Sequence, residues 1–329
     1  MRTPEFWHQD GVLARVLQPM AWLYAGLGRL RWALSQPWQG PVPVICVGNL
    51  VAGGAGKTPT ALAIGRALAR RGIAAHFLSR GHGGRLSGPI RVDGKVHDAG
   101  DVGDEPLLLA AAAPAWIARD RVRGARAAIA AGAQAIIMDD GFQNPGLAKD
   151  LSLLVIDGAY GLGNGRVHPA GPLRETAATG LARADAVIIL QSGEAPAPLP
   201  HMAAAPLTAR LIPGPDALAL RGQPVVAFAG IGRPERFFHT VRELGAELVG
   251  QQAFPDHHPF REDEIWAVIE AARERNAIAV TTAKDAVRLP PGARDMVTVI
   301  DVTLEFDDEE RLDKLLDMVL ADRGANKAP

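Results

Sequence analysis

A glycine-rich turn that ends in Gly-Lys-Thr is the segment of this chain whose residue types are best suited to chemistry. It follows the β-branched run from Val44 to Val47, and its members are Gly53, Gly54, Ala55, Gly56, Lys57 and Thr58. Glycines let backbone N–H groups converge on phosphate oxygens, a lysine brings positive charge to the β- and γ-phosphates, and a threonine hydroxyl ligates Mg²⁺. The segment therefore predicts a site for a nucleoside triphosphate with Mg²⁺.

The turn departs from the strict phosphate-loop pattern at one position. Val51 stands six residues before Lys57, where the pattern has glycine. One alternative is a flexible turn that merely precedes an ordinary helix. Pro59 suits the first turn of a helix, and the apolar run before the turn suits a central parallel strand. These two features favour a variant phosphate loop.

Two adjacent carboxylates follow another short apolar run. Asp139 and Asp140 come directly after the residues from Ala135 to Met138. Because the carboxyl ends of parallel strands meet at one edge of a sheet, we expect both acids to face the phosphate loop and to serve Mg²⁺ directly or through water. The alternative is a turn at Asp140-Gly141 with Asp139 as a helix cap.

Three further segments carry polar groups whose role the residues alone leave open. Asp104 and Glu105 precede a predicted helix, where acids either cap free N–H groups or supply a base for an acceptor hydroxyl. His257 and His258 are a weak zinc pattern, solvated loop residues, or a source of an imidazole that orients a carboxylate base. Arg80 lies in a glycine-rich connection and either grips an anionic substrate or is solvated.

The remaining pattern predicts the α/β class, with a P-loop NTPase-like, mostly parallel sheet covered by helices on both faces. Ile90 to Val96 reads as a small hairpin. Proline-rich sequence between Gln191 and Pro215 predicts a domain boundary. We therefore expect a kinase-like first domain at residues 1–205 and a smaller α/β domain at residues 206–329 that contributes the Asp-His-His loop.

The start of the chain has a different character. Val12 to Trp38 reads as one or two amphipathic helices, with an apolar run from Met20 to Leu27 and Arg29 and Arg31 after it. This run is shorter than the roughly 20 residues that span a bilayer, so it predicts either insertion in a membrane interface or packing on the protein's own core.

Composition excludes several classes of protein. The chain has 329 residues, of which 48% are hydrophobic and 22% charged, and its formal net charge is −1. Such a balance gives no global field that attracts nucleic acid, which we do not expect as a partner. The single cysteine, Cys46, excludes an intramolecular disulfide and fits a reducing cytoplasm. The sequence gives no indication of the oligomeric state.

Several motifs, in order along the chain, together resemble the tetraacyldisaccharide 4'-kinase family of lipid A biosynthesis. They span about residue 10 to about residue 320 and are Gly48-Asn49-Leu50, Gly53-Gly54-Ala55-Gly56-Lys57-Thr58-Pro59, Ser79-Arg80-Gly81, Gly103-Asp104-Glu105-Pro106, Asp139-Asp140-Gly141-Phe142-Gln143, Pro172-Leu173-Arg174-Glu175, Asp256-His257-His258 and Thr281-Thr282-Ala283-Lys284-Asp285. The ordered set is far more specific than any single motif in it.

The resemblance implies ATP-dependent phosphorylation of the 4'-hydroxyl of a tetraacyldisaccharide 1-phosphate, at the cytoplasmic face of the inner membrane of a Gram-negative bacterium. It implies peripheral membrane contact, a phosphoglycolipid substrate, and ATP and Mg²⁺ as cofactors. The implied site residues are Asp104, His257 and Lys57 for catalysis, Thr58, Glu105, Asp139 and Asp140 for the metal, and Arg80, Gln143 and Arg174 for the substrate.

Two positions depart from the family pattern. His82 stands where a tyrosine is expected, and Asn144 stands where a histidine is expected. They bear on substrate contacts rather than on the phosphate loop. The alternative function is a membrane-associated ATP-dependent switch without a lipid acceptor. The segment from Thr281 to Asp285 lacks the Asn-Lys-x-Asp order that recognises a guanine base. A switch protein of this sequence would therefore bind ATP rather than GTP.

Overall fold

The computed structural model describes residues 4–191, 195–202 and 204–325. The strands of this part of the chain are β1 (Val44–Gly48), β2 (Ala75–Ser79), β3 (Ile90–Arg91), β4 (Ala115–Ile117), β5 (Ala135–Asp139), β6 (Leu151–Asp157), β7 (Ala186–Gln191), β8 (Leu207–Pro213), β9 (Pro224–Ala229), β10 (Glu247–Ala253), β11 (Ile278–Thr282), β12 (Thr298–Ile300) and β13 (Val302–Phe306). They form a nine-stranded sheet in the order β13-β8-β7-β6-β1-β5-β2-β4-β3, and a four-stranded sheet in the order β10-β9-β11-β12.

Helices connect and cover these strands. The α-helices of the described residues are α1 (Val12–Val16), α2 (Gln18–Ala33), α3 (Lys57–Arg70), α4 (Ala99–Val102), α5 (Asp104–Ala112), α6 (Arg121–Ala130), α7 (Ala177–Leu181), α8 (Pro234–Glu243), α9 (Glu262–Glu274), α10 (Ala283–Ala286), α11 (Pro291–Arg294) and α12 (Glu309–Ala325). Short 3₁₀ helices lie at Glu5–Trp7 and Pro215–Leu220.

The nine-stranded sheet is buried on both faces around its central strands. β1 pairs in parallel with β5 on one side and with β6 on the other, and all five β1 residues are buried. Ile45 and Val47 pack with α3 in one hydrophobic cluster, whereas Val44 and Cys46 belong to the cluster on the opposite face. This alternation follows from the two-residue period of a strand. The predicted α/β class with a mostly parallel, helix-covered sheet is confirmed.

The smaller sheet is entirely parallel and has its own two clusters. β9 pairs with β10 and β11, and β11 pairs with β12. Phe228 of β9 packs against α9 on one face, and Ala227 packs against α8 on the other. A second, smaller α/β layer is therefore present, as predicted.

The sheets do not divide the chain at residue 205. β8 pairs in parallel with β7, and β13 returns from the second sheet to pair antiparallel with β8. Leu312 and Leu316 of α12 pack in the same cluster as Ile64 of α3. The proline-rich stretch indicates irregular chain correctly, but the strand after it rejoins the first sheet. The division into 1–205 and 206–329 stays a prediction about independent units.

The predicted hairpin at Ile90 to Val96 is wrong. Only Ile90 and Arg91 are extended, and they pair antiparallel with β4. The following residues form a turn, because the Asp93 carboxylate accepts from the Lys95 N–H at 2.9 Å and the Asp93 carbonyl accepts from the His97 N–H at 2.8 Å. Aspartate that bonds to its own backbone favours a turn over a second strand.

The amphipathic start of the chain forms α1 and α2, which expose most of their apolar side chains. Among the residues of α2, only Ala21 is fully buried, while Trp22 and Leu23 are 67% and 66% exposed. Across the described residues, no helix combines the length and the apolar character needed to cross a membrane.

Candidate functional site

The predicted polar residues converge where strands of the first sheet end at their carboxyl edge. The glycine-rich turn follows β1, Arg80 follows β2, and Asp139 closes β5 with Asp140 after it. Asp104 and Glu105 open α5, which packs on β4 and α3. The second sheet faces this edge with the loop after β10, which carries His257. Parallel strands place their carboxyl ends together, so residues far apart in sequence meet in one cleft.

The glycine-rich turn has a backbone that only glycine adopts readily at its last position. Gly56 caps α3 with φ 76°, and a Cβ there would overlap Leu190 Cδ1. Lys57 Nζ donates to the Gly53 carbonyl at 3.4 Å and lies 3.8 Å from Asp140 Oδ1. The free N–H groups of the first turn of α3 therefore open onto the turn beside a lysine, which is the arrangement that binds phosphate.

A second segment braces the phosphate loop through its backbone. The Ala52 N–H donates to the Pro172 carbonyl at 2.8 Å, and the Arg174 N–H donates to the Leu50 carbonyl at 2.7 Å. Val51 forms an antiparallel bridge with Leu173. Val51, the departure from the strict pattern, is thus an extended residue in a short ladder. This ladder sets Arg174 at the edge of the loop.

Asp139 offers a buried oxygen that fits a metal ion. The Thr58 hydroxyl donates to Asp139 Oδ2 at 2.9 Å, whereas Oδ1 is buried with no hydrogen-bond partner among the described residues. Burial, with a smaller contribution from the charge of Glu105, raises the pKa of Asp139 to about 7. A desolvated carboxylate with an unpartnered oxygen beside a threonine hydroxyl is the hard-oxygen donor set that Mg²⁺ prefers. Thr58, Asp139 and the nearby Glu105 therefore fit the predicted metal role.

Asp140 joins the phosphate loop to the residues predicted to bind substrate. Arg174 Nη1 donates to Asp140 Oδ1 at 2.7 Å and lies 3.4 Å from Gln143 Oε1. Burial raises the pKa of Asp140, but the charges of Lys57 and Arg174 outweigh it and leave the net pKa below its usual value. Asp140 is therefore held as a carboxylate. Gln143 Nε2 in turn donates to the Asn49 carbonyl at 3.0 Å, at the start of the loop.

Asp104 pairs with a histidine from the second sheet. His257 Nδ1 lies 2.9 Å from Asp104 Oδ2, and Arg288 Nε lies 3.2 Å from the same oxygen. The preceding Gly103 has φ 88°, and a Cβ there would overlap the His82 carbonyl oxygen. Gly103, and not Asp104, is the residue that caps α5, and the contacts of the Asp104 carboxylate run to His257 and Arg288. This carboxylate is therefore directed to the cleft rather than used as a cap.

The neighbours of this pair distinguish the two histidines. His258 Nε2 bonds Glu264 Oε2 at 2.8 Å, away from Asp104. Lys284 Nζ lies 3.4 Å from His257 Nε2 and 3.9 Å from Glu105 Oε1. The two adjacent histidines thus have different partners, so they do not chelate one ion between them. His257 is the one that contacts the Asp104 carboxylate.

Arg80 is the predicted residue that the structure leaves apart from these contacts. It is exposed at the end of β2. Burial, and after it the charge of Arg80, lowers the pKa of Arg121 to about 10.

Sequence reasoning missed four residues that contact the site, which are Glu175, Arg183, Lys284 and Arg288. Glu175 and Lys284 lie inside motifs of the resemblance, so those motifs were the available signal; Arg183 and Arg288 lie outside them.

Comparisons with known proteins point to one family. The family model of LpxK, tetraacyldisaccharide-1-P 4'-kinase, matches residues 13–321. The tetraacyldisaccharide 4'-kinase of Rhodospirillum rubrum is 54% identical over 98% of this chain and 99% of its own, and that of Rhodospirillum centenum is 54% identical over 98% and 97%. A crystal structure of an "apo" form of LpxK from Aquifex aeolicus in complex with ATP is 27% identical, with a TM-score of 0.73 over 94% of this chain and 100% of that one.

Fold and site together define a P-loop phosphotransferase of the α/β class. Its glycine-rich loop suits a triphosphate, and Asp104 supplies a buried carboxylate at the start of α5. The chain belongs to the tetraacyldisaccharide 4'-kinase family. The resemblance inferred from the ordered motifs is confirmed.

Proposed function

We propose that this protein transfers the γ-phosphoryl group of ATP to the 4'-hydroxyl of a tetraacyldisaccharide 1-phosphate in lipid A biosynthesis. One observation carries the proposal. The Asp104–His257 pair lies at the same carboxyl edge as Lys57 and the Thr58–Asp139 pair, and the charge of Glu105, the neighbour of Asp104, helps to raise the pKa of Asp139. This supports a proton acceptor close to a phosphate site. Family membership supplies ATP as the donor and the disaccharide as the acceptor.

In the proposed reaction, Asp104 and its neighbours act on the acceptor hydroxyl, and the phosphate loop acts on the transferred phosphoryl group. The acceptor oxygen forms a bond to the γ-phosphorus, the bond to the β–γ bridging oxygen breaks, and ADP leaves with that electron pair. Asp104 takes the hydroxyl proton, and His257 and Arg288 hold its carboxylate in place. Lys57 and the N–H groups of the loop neutralise charge on the transferred group. Thr58, Asp139, Asp140 and Glu105 would hold Mg²⁺, which would neutralise further negative charge at this place.

The acceptor needs anchors beyond the hydroxyl that reacts. Arg80, Gln143 and Arg174 are the proposed contacts. Arg80 is an exposed cation at the carboxyl edge, and Gln143 and Arg174 lie against each other beside the phosphate loop. Amide and guanidinium groups suit the hydroxyl, carbonyl and phosphate oxygens of an acylated sugar phosphate.

The acyl chains of such an acceptor require access from a lipid surface. We place the protein peripherally at the cytoplasmic face of the inner membrane, with α1 and α2 in the interface. The two helices and Leu34, which caps the end of α2, carry a row of exposed apolar side chains; those within the helices are Val12, Leu13, Val16, Met20, Trp22, Leu23, Leu27 and Leu30. Arg29 and Arg31 lie near the end of α2 and suit anionic headgroups.

Purified protein with ATP, Mg²⁺ and a tetraacyldisaccharide 1-phosphate in mixed micelles tests the function. We expect ADP and a bisphosphorylated disaccharide in equal amounts, with ADP formation dependent on the acceptor. Hydrolysis of ATP without a phosphorylated lipid would instead support the membrane-associated switch. A disaccharide that already carries a 4'-phosphate is the matched control and should not be consumed.

A further inference from the structure

An arginine outside the predicted site lies between the amphipathic helix α2 and the phosphate loop. Arg183 follows α7, and its Cζ atom stands 4.1 Å from the centre of the Trp32 ring in α2 and 5.0 Å from the centre of the Phe142 ring. Lys149 Nζ lies 5.0 Å from the Trp32 ring as well. A planar guanidinium over an indole face is a favourable cation–π contact. Trp32 therefore fixes one side of Arg183.

The other side of Arg183 reaches a carboxylate beside the site. Its Nη2 donates to Glu175 Oε1 at 2.7 Å, and the same oxygen accepts from Gln143 Nε2 at 3.1 Å. The side chains of Glu175 and Arg183 are only 14% and 25% exposed. A charged hydrogen bond at this depth is screened less than an ion pair on the surface.

Gln143 contacts the start of the phosphate loop directly, and Glu175 follows a residue that does. The residue before Glu175 donates its N–H to the Leu50 carbonyl at 2.7 Å. Gln143 Nε2 donates to the carbonyl of Asn49, which is fully buried. A continuous set of contacts thus runs from Trp32 through Arg183, Glu175 and Gln143 to Asn49.

We propose that Arg183 is a positioning residue for phosphoryl transfer, and that Trp32 of α2 holds it in place. Arg183 orients Glu175, which in turn orients Gln143 against the loop, and its charge offsets that of Glu175 beside the triphosphate site. Helix α2 thereby contributes to the nucleotide site without touching the nucleotide. This inference rests on the proposed function, because the supported loop is the one assigned to ATP.

The first test is Arg183→Met in the full-length protein, which keeps length but removes the charge and the planar group. We expect the KM for ATP to rise roughly three- to tenfold and kcat to fall, as for loss of a partly buried charged contact. Arg126→Met is the matched control. Arg126 stacks on Trp38 with Cζ 5.0 Å from its ring and should keep the wild-type constants.

Trp32 is tested by the same measurements. Trp32→Leu should raise the KM for ATP as Arg183→Met does, and Trp32→Phe should keep most of the wild-type affinity for ATP. The double variant Arg183→Met with Trp32→Leu should have the same KM for ATP as Arg183→Met alone, because the two residues act through one contact. Thermal unfolding of each variant checks that it is folded. If Arg183→Met does not fold, Arg183→Lys, which keeps the charge but not the planar guanidinium, is measured instead, and we expect a smaller rise of the KM for ATP.

The outcomes separate this inference from the function on which it rests. Wild-type protein without acceptor-dependent product would overturn the proposed function itself. Active wild-type protein with unchanged ATP constants in folded Arg183 variants would remove the positioning role alone. An equal rise of the KM for ATP in Arg126→Met would also overturn it, because the effect would then not pass through Glu175.

Discussion

His257 Nδ1 lies 2.9 Å from Asp104 Oδ2, although the two residues are 153 positions apart in the chain. Asp104 is the first residue of α5, which packs on the nine-stranded sheet, and His257 lies in the loop after β10 of the four-stranded sheet. Arg288 Nε lies 3.2 Å from the same carboxylate oxygen. The proposed base is therefore assembled from both sheets, and the orientation of its carboxylate depends on their contact.

Removal of the proposed base should separate chemistry from nucleotide binding. Asp104→Asn keeps the shape of the side chain but no longer accepts the hydroxyl proton. We expect kcat to fall about 10²- to 10⁴-fold, the usual contribution of a positioned base, with the affinity for ATP nearly unchanged. Steady-state rates and calorimetric titration with ATP measure the two quantities. A variant that retains wild-type kcat would exclude Asp104 from proton transfer.

The two adjacent histidines supply a matched pair of variants. His257→Gln removes the imidazole that contacts Asp104, and His258→Gln removes one that bonds Glu264. We expect kcat to fall about 10- to 100-fold for His257→Gln, since a misplaced base costs of this order, and to change little for His258→Gln. Equal losses in both variants would show that the loop, rather than the imidazole on Asp104, matters.

Local sequence rules predict the phosphate-binding side of the site, but they predict the side that carries Asp104 and His257 only in part. A β-branched strand, a glycine turn and Lys57-Thr58 define a phosphate loop from neighbouring residues, and Asp139 at a strand end follows from the geometry of parallel sheets. The pairing of Asp104 with His257 has no local pattern. From the sequence alone, Asp104 could equally be a helix cap and His257 a solvated loop residue. Only the resemblance to the family favoured a catalytic role for them.

Long-range packing also explains what sequence reasoning could not predict. β8 and β13 have ordinary strand sequences, so nothing local shows that they join the first sheet rather than the second. Arg183 is one of 35 lysines and arginines in the chain, and its place between Trp32 and Glu175 depends on how α2 packs. The backbone of Asp140 and of His257, with φ 55° and 58°, is likewise set by tertiary contacts, because such angles are unfavourable in isolation.

The last glycine of the phosphate loop should tolerate no side chain. Gly56→Ala places a Cβ at φ 76° against Leu190 Cδ1, so we expect a loss of about 1–3 kcal/mol in unfolding free energy and weakened ATP binding. Gly54→Ala is the control for stability, because its Cβ would meet nothing within 4 Å. A thermal unfolding midpoint that falls as far for Gly54→Ala would contradict the steric explanation.

Asp157 at the end of β6 should stabilise the contact between the two sheets in a pH-dependent way. It accepts two hydrogen bonds from Arg236, at 2.6 and 2.9 Å, and lies 3.3 Å from Arg233. Burial raises the pKa of Asp157, but these arginines outweigh it and leave the net pKa below the usual 3.8. The folded protein thus binds this proton more weakly than the unfolded chain, so the stabilisation is present above about pH 4 and is lost as pH falls through the lowered pKa.

Asp157→Asn measures that contribution. We expect a loss of about 2 kcal/mol in unfolding free energy at pH 7, since the carboxylate is buried but its arginines are partly solvated, and a difference from wild type that shrinks as the pH falls below about 4. Asp307→Asn, which removes the exposed ion pair with Arg210, should cost less. A difference in stability between the wild type and Asp157→Asn that stays constant across this pH range would contradict the role of the charge.

The exposed apolar side chains of α2 should bind the protein to lipid but contribute little to the stability of the fold. Leu23 is 66% exposed, so Leu23→Glu removes apolar surface and adds a negative charge where Arg29 and Arg31 favour anionic headgroups. We expect binding to vesicles that contain anionic phospholipid to fall about tenfold or more, from lost burial together with repulsion. The thermal midpoint should not change, because only Ala21 of this helix is fully buried. Leu218→Glu introduces the same change at a 64% exposed leucine outside α2 and should bind vesicles as the wild type does; equal binding by Leu23→Glu would mean that α2 does not face the membrane.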